Sequence, residues 1–198
     1  MKKLFISFFL IAFCFSANGQ SIKRTSGSLG FLKSEKVVGI TFTYENMRVG
    51  KLTEEEYVRK KMGEYNEKRM GWGDEWKEAW IRDRAERYEP KFIELFSKYI
   101  GEKGISVDNT RADYEISVNA DFIEPGFNVG VARRNASVNL TCRFVNKSDG
   151  NEVAVVTIVD ASANNFGGGD FEVGFRVQES FAKAGREFAK FLIKEGKL

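Results

Sequence analysis

In two runs of this chain every second residue is apolar, and that period admits few folds. Tyr114, Ile116, Val118, Ala120 and Phe122 alternate with Asp113, Glu115, Ser117, Asn119 and Asp121; Ala136, Val138, Leu140, Cys142 and Phe144 repeat the pattern. Successive side chains of a strand point to opposite faces, so both runs read as strands buried on one side. A sheet with one apolar face needs a cover. Two stretches with helical spacing supply it: Phe92, Leu95, Phe96, Tyr99 and Ile100, then Gly174, Val177, Phe181, Ala184, Phe188 and Leu192. Gly174 and Gly185 are expected to let the last helix approach the sheet closely.

Val37 to Tyr44 adds a first strand, with Val38, Ile40, Phe42 and Tyr44 on one face. Val153 to Ala163 adds a last one, apolar on both faces through Val155, Val156, Ile158 and Val159, which predicts the most buried strand. Ser148-Asp149-Gly150-Asn151 is a hairpin turn signal. Thr53-Glu54-Glu55-Glu56 is a capping box opening a helix to about Met70. Gly71 and Gly73 break it, and Asp74 can cap a second, charged helix over 75–89. Pro90 kinks that helix or starts a new one. Residues 20–35, rich in Ser, Gly and Lys, read as a flexible lead-in. The expected fold is α+β, in one domain over 36–198 with a charged helical segment at 53–100. Its single, mostly antiparallel sheet runs strand, helical segment, three-strand meander, C-terminal helix, with the helices packed on one face.

Met1 to Gly19 has the layout of a secretory signal peptide: Lys2 and Lys3, an apolar Leu4 to Phe15, then Ser16-Ala17-Asn18-Gly19 with small residues before a cut at Gln20. That apolar stretch is too short for a ~30 Å hydrocarbon core, which needs roughly 20 residues. Cys14 does not suit lipid attachment, because the large Phe13 precedes it. Loss of Lys2 and Lys3 lowers the formal charge from +3 by two, leaving a nearly neutral mature chain. This argues against a nucleic-acid partner. Cys142 alone is left after cleavage, so no internal disulfide is expected, and its register places it in the core. The sequence holds no histidine. Serine–histidine, cysteine–histidine and ordinary zinc chemistry are therefore excluded, while carboxylate or lysine chemistry stays open. No catalytic residue, metal site or cofactor is assigned.

Two segments are candidate binding sites. Trp72, Trp76 and Trp80 are all the tryptophan of the chain and fall four residues apart. Such a stripe offers a platform to sugar rings or to a partner's apolar surface, or docks its charged helix on the body. The connection from Glu124 to Asn135 carries Phe127, Val129, Arg133 and Arg134. It is either a hairpin extending both strands or an exposed loop with an apolar tip and a basic base. Phe166-Gly167-Gly168-Gly169-Asp170 reads as a conformational turn whose Asp170 caps the final helix. Asp74, Glu75, Glu78 and Asp83, interleaved with Lys77, Arg82, Arg84 and Arg87, read as a solvated ion-pair surface.

At Ala112-Asp113-Tyr114-Glu115-Ile116-Ser117-Val118, the Asp149-Gly150 turn and the closing amphipathic helix, the chain resembles a group of bacterial envelope domains. These are the amino-terminal domain of TolB, the curli secretion subunit, penicillin-binding-protein activator lipoproteins and uncharacterised secreted proteins of the Bacteroidetes. The resemblance covers roughly 36–44 and 90–196, departs at the charged segment 53–89, lacks the lipid cysteine, and carries over no functional residue. It implies binding or assembly, not catalysis. The expected protein is a secreted, periplasmic, non-enzymatic module whose partner is another envelope protein or a second copy. The alternative is a glycan-interacting protein or carboxylate-based glycosidase built on the tryptophans.

Overall fold

The two alternating runs become β6 (Tyr114–Glu124) and β9 (Ser137–Asn146), paired antiparallel with Ile116 opposite Phe144 and Val118 opposite Cys142. The computed structural model describes residues 20–129, 132–162 and 173–198. Met1–Gly19 and the Phe166–Asp170 turn lie outside these residues. The remaining strands are β1 (Ser21–Gly27), β2 (Val37–Thr43), β3 (Arg48–Val49), β4 (Leu52–Thr53), β5 (Ser106–Val107), β7 (Phe127–Val129), β8 (Ala132–Arg134) and β10 (Glu152–Ser162). The helices are α1 (Glu54–Asn66), α2 (Trp72–Asp83), α3 (Glu89–Ile100) and α4 (Val173–Gly196).

The eight-stranded sheet runs β1-β10-β9-β6-β2-β5, with β3 beside β6 and β4 beside β3. The meander β6-β9-β10 and its neighbour β1 are antiparallel. β2 pairs parallel to β6, because the chain between them passes through three helices before returning. This is the expected α+β architecture.

One sheet face carries Val38, Ile40, Ile116, Val118, Val138, Leu140, Phe144, Val156 and Ile158, all buried. Phe188 of α4 joins the layers, with its ring 6.2 Å from Phe92, 5.6 Å from Phe96 and 6.1 Å from Phe144. Cys142 is fully buried in this core, and burial pushes its thiol pKa up. The small residues of α4 serve a different contact from the one expected. A Cβ on Gly185 would run into the Phe92 carbonyl oxygen, and one on Gly174 into the Asp83 carboxylate. They let α4 approach other helices, not the sheet.

Several boundaries differ from the sequence reading. Residues 21–27, expected as part of a flexible lead-in, form the edge strand β1 against β10. Just beyond, Leu29 and Leu32 are buried around a short 3-10 turn, Gly30–Lys33. Local composition signals solubility there, while pairing comes from the open edge of β10. With β1 outermost, β10 is not the most deeply buried strand, and its Val159 is 44% exposed. At Asp121 the β6–β9 register shifts, so Ile123 points inward and Phe122 is only half-buried. α1 ends at Asn66, leaving Met70 95% exposed. α2 begins at Trp72 behind Gly71, which takes the N-cap in place of Asp74. A π turn, Arg84–Tyr88, joins α2 to α3, and Pro90 sits in the first turn of α3.

Candidate functional site

α1 starts where the capping box predicts. The Thr53 hydroxyl accepts from the Glu56 N–H at 3.2 Å, and the Glu56 carboxylate accepts from the Thr53 N–H at 2.9 Å. The helix carries Tyr57 and Tyr65 toward α2, whose Trp72, Trp76 and Trp80 lie one turn apart. The rings interleave. Tyr65 stacks on Trp76 at 5.8 Å, Trp76 on Trp80 at 5.7 Å, and Tyr57 lies across Trp76 and Trp80 at 5.9 and 5.3 Å. Tyr65 also meets Trp72 edge-on at 6.1 Å, while the Arg69 guanidinium covers the Trp72 ring at 4.7 Å. At the far end the buried Trp80 donates its Nε1–H to Glu54 at 2.6 Å, and Arg84 ion-pairs with the same oxygen.

These interleaved rings, Tyr57, Tyr65 and Trp76, also line one side of a cleft of about 680 Å³. Its walls come from α1, the β3–β4 turn, the end of β6 with the start of β7, and the first turn of α4. That volume is in the range of ligand sites. Leu52, Tyr57, Tyr65 and Phe127 give it apolar surface, and burial raises the Tyr57 pKa. Lys51, Lys60, Lys61 and Lys68 stand around it. Arg176 lies at its base, only 5% exposed, donating to the Pro125 carbonyl at 3.2 Å and the Gly126 carbonyl at 3.4 Å.

Among the described residues, two carboxylates line the cleft, Glu64 and Glu124. Lys61 donates to Glu64 at 2.9 Å and holds its pKa below the ordinary range. Arg134 reaches Glu124 at 3.1 Å. Elsewhere the charges of the α2 segment pair as a surface, Arg69 with Glu75 at 2.7 Å and Arg82 with Glu86 at 3.3 Å. Among the described residues, no cluster of histidine, cysteine and carboxylate could hold a metal ion. None of their helices is long and apolar enough to cross a membrane.

The structure brings two of the sequence candidates to one place, since Trp76 and Phe127 both line the cleft. Trp72 is half-exposed at the hairpin tip, and Trp80 is buried. The Glu124–Asn135 connection is a hairpin, with Phe127 opposite Arg134 and Val129 opposite Ala132. It does not continue the main sheet, because regular pairing stops at Pro125-Gly126. Gly126 takes φ +66°, and a Cβ there would meet the Arg134 carbonyl oxygen at 2.6 Å. Phe127 is 37% exposed, and Arg133 and Arg134 are exposed, Arg133 donating to Asn135 at 3.1 Å. Sequence reasoning missed Tyr57, Tyr65, the α1 lysines and Arg176. The available signal was Arg176 itself, a charge set beside Val177 on the apolar stripe of α4.

A smaller hollow of about 360 Å³ lies on the polar sheet face, among Thr43, Asn119, Asp121, Thr141 and Arg143. Its side chains bond one another: Thr43 donates to Asn119 at 2.9 Å and Thr141 to Asp121 at 2.6 Å.

No protein-family model and no curated protein matches the chain. Among solved structures it is similar to the PelC dodecamer from Paraburkholderia phytofirmans, at 11% identity and a TM-score of 0.40, over 84% of this chain and 96% of that one. It is also similar to protein XCC0632 from Xanthomonas campestris, of family DUF330, at 16% identity and a TM-score of 0.38, over 54% of this chain and 61% of that one.

Proposed function

We propose that this chain is an exported binding module of the bacterial envelope, which holds a partner and turns nothing over. The observation that carries this reading is the cleft beside α1, with aromatic walls, a basic rim and, among the described residues, both acids of its lining already ion-paired. The leader-like Met1–Gly19 supports export. Carboxylate catalysis needs one acid kept protonated near neutrality. Here Lys61 holds Glu64 charged and Arg134 pairs with Glu124, which favours holding over turnover. A sugar platform would need free tryptophan faces, and Trp76 already stacks with two rings.

The test is capture from an envelope extract with three forms of the mature chain: unaltered, Lys60→Glu with Lys68→Glu in the cleft, and Thr141→Ala on the polar sheet face. A specific partner should come down with the first and third and be lost from the second. Equal recovery by all three would move binding off the cleft. Turnover of any substrate in a hydrolase panel would overturn the non-enzymatic reading, and full-length chain held in the cytoplasm would overturn export.

A further inference from the structure

Charge, apolar surface and backbone around the cleft together describe an occupant. The cations come from three separate parts of the chain: Lys51 on the β3–β4 turn, Lys60, Lys61 and Lys68 on α1, and Arg176 on α4. Glu64 is engaged by Lys61 at 2.9 Å and more distantly by Lys60 at 3.9 Å, and Glu124 is engaged by Arg134. Among the described residues neither acid makes an ion pair with Lys51 or Lys68, and Glu64 is shared among Lys61, Lys60 and the more distant Lys68. Lys68 instead rests its ammonium 5.2 Å from the Tyr65 ring. A ligand entering here meets net positive potential, and complementary charge selects an anion.

The walls are not polar enough for a simple anion. Leu52, Tyr57 and the half-exposed Phe127 offer an apolar seat beside those lysines. One of these residues, Phe127, stands on a strand with an open edge: β7 pairs only with β8 among the described residues, whereas the outward N–H of β4, that of Thr53, is taken by the Glu56 carboxylate. An unpaired edge accepts an extended peptide through main-chain hydrogen bonds, with side-chain pockets giving selectivity. A polysaccharide cannot make those bonds in that repeat.

We infer that the cleft takes an extended acidic peptide segment bearing an apolar anchor, presented by a partner protein. This rests on the binding reading above and names the chemistry of the bound segment. The carboxylates pair with Lys51, Lys60 and Lys68, the anchor sits against Leu52, Tyr57 and Phe127, and the backbone runs along an open strand edge.

The probes are synthetic peptides of equal length: glutamate-rich around one phenylalanine, the same with lysine for glutamate, and the same with serine for phenylalanine. Polygalacturonate serves as a polyanion without a peptide backbone. Tryptophan fluorescence follows binding, since Trp76 lines the cleft, and calorimetry at low and high salt checks it. The acidic phenylalanine peptide should bind, more weakly as salt rises, and the lysine peptide should not. Lys51→Glu with Lys60→Glu, and separately Phe127→Ser, should each weaken binding about tenfold, a ratio equal to ~1.4 kcal/mol. All three positions are exposed, so thermal unfolding should show both variants folded. Polygalacturonate binding as tightly as the peptide, or equal binding of all three peptides, would overturn the inference. If partner capture depends on the cleft while every peptide fails, the inference falls and the binding module stands. If capture fails too, both fall.

Discussion

The body of this protein and its α1–α2 hairpin are both helical and aromatic, yet they are held by different physics. In the body, Phe92, Phe96, Phe144, Phe181 and Phe188 are essentially unexposed between the sheet and α3–α4. Burial of that kind is non-directional and scales with the area removed from water. In the hairpin no residue of α1 is buried. Trp80 reaches the core, and Tyr57, Val58 and Trp76 pack only partly buried against it. Oriented contacts therefore carry more of the load here: interleaved tyrosine and tryptophan rings, and Glu54 bridging Trp80 and Arg84 at one end. The rings that join the two helices, Tyr57, Tyr65 and Trp76, also reach the wall of the cleft, where the α1 lysines stand beside them. The body supplies stability, and the loosely buried element supplies surface.

The largest test of this contrast is Phe188→Ala. Removing a ring that touches Phe92, Phe96 and Phe144 should cost about 3–5 kcal/mol, read from the urea midpoint of the whole chain. A small loss would mean the body does not depend on packing there. Glu54→Ala leaves the buried Trp80 N–H without its acceptor and should cost about 1–3 kcal/mol. Its signature should be local, with faster amide exchange in α1 and α2 and little change in β9. Uniform acceleration would show that the hairpin and body unfold as one.

The junction of the two regions has a pH dependence with a definite sign. Asp83, at the end of α2, has its pKa raised by burial, against the pull of Arg87 at 2.8 Å. A folded-state pKa above the unfolded value means the native state binds the extra proton, so this group's contribution favours folding more as pH falls through the raised value. Asp83→Asn should remove that component from the pH profile of the urea midpoint. An unchanged profile would sink the assignment. The smallest effect belongs to Phe127→Ser, where a half-exposed ring is lost. Stability should move by less than about 0.5 kcal/mol while partner binding weakens. A loss of several kcal/mol would put Phe127 in the body.

What could be read in advance follows from how local each feature is. Val138, Leu140, Cys142 and Phe144 announced their face because strand alternation is a property of the backbone itself, and the Thr53 capping box closes within four residues. The alternation misled at one point, since the bulge at Asp121 exchanges Phe122 for Ile123 without any mark in the run. Trp72, Trp76 and Trp80 were visible as a stripe, but whether it met a ligand or another helix depended on where Tyr57 and Tyr65 would lie. The sequence left Phe127 open between a strand-extending hairpin and an exposed tip; the fold makes it the start of a separate hairpin, 37% exposed, beside cleft neighbours that the sequence did not mark.

By itself the sequence determined the faces of the strands and helices, the α+β class and the absence of histidine chemistry, because periodicity and residue inventory need no partner. Only the tertiary structure decided that residues 21–27 are a strand, that α4 packs against α3 at Gly185, and that a basic, aromatic cleft exists. Each of these joins positions far apart in the chain: β1 to the open edge of β10, Gly185 to Phe92, and Lys51 to Lys68 and Arg176. A strand edge has no preferred partner until the sheet is built. A cleft is a space between elements, and no single stretch of residues encodes it.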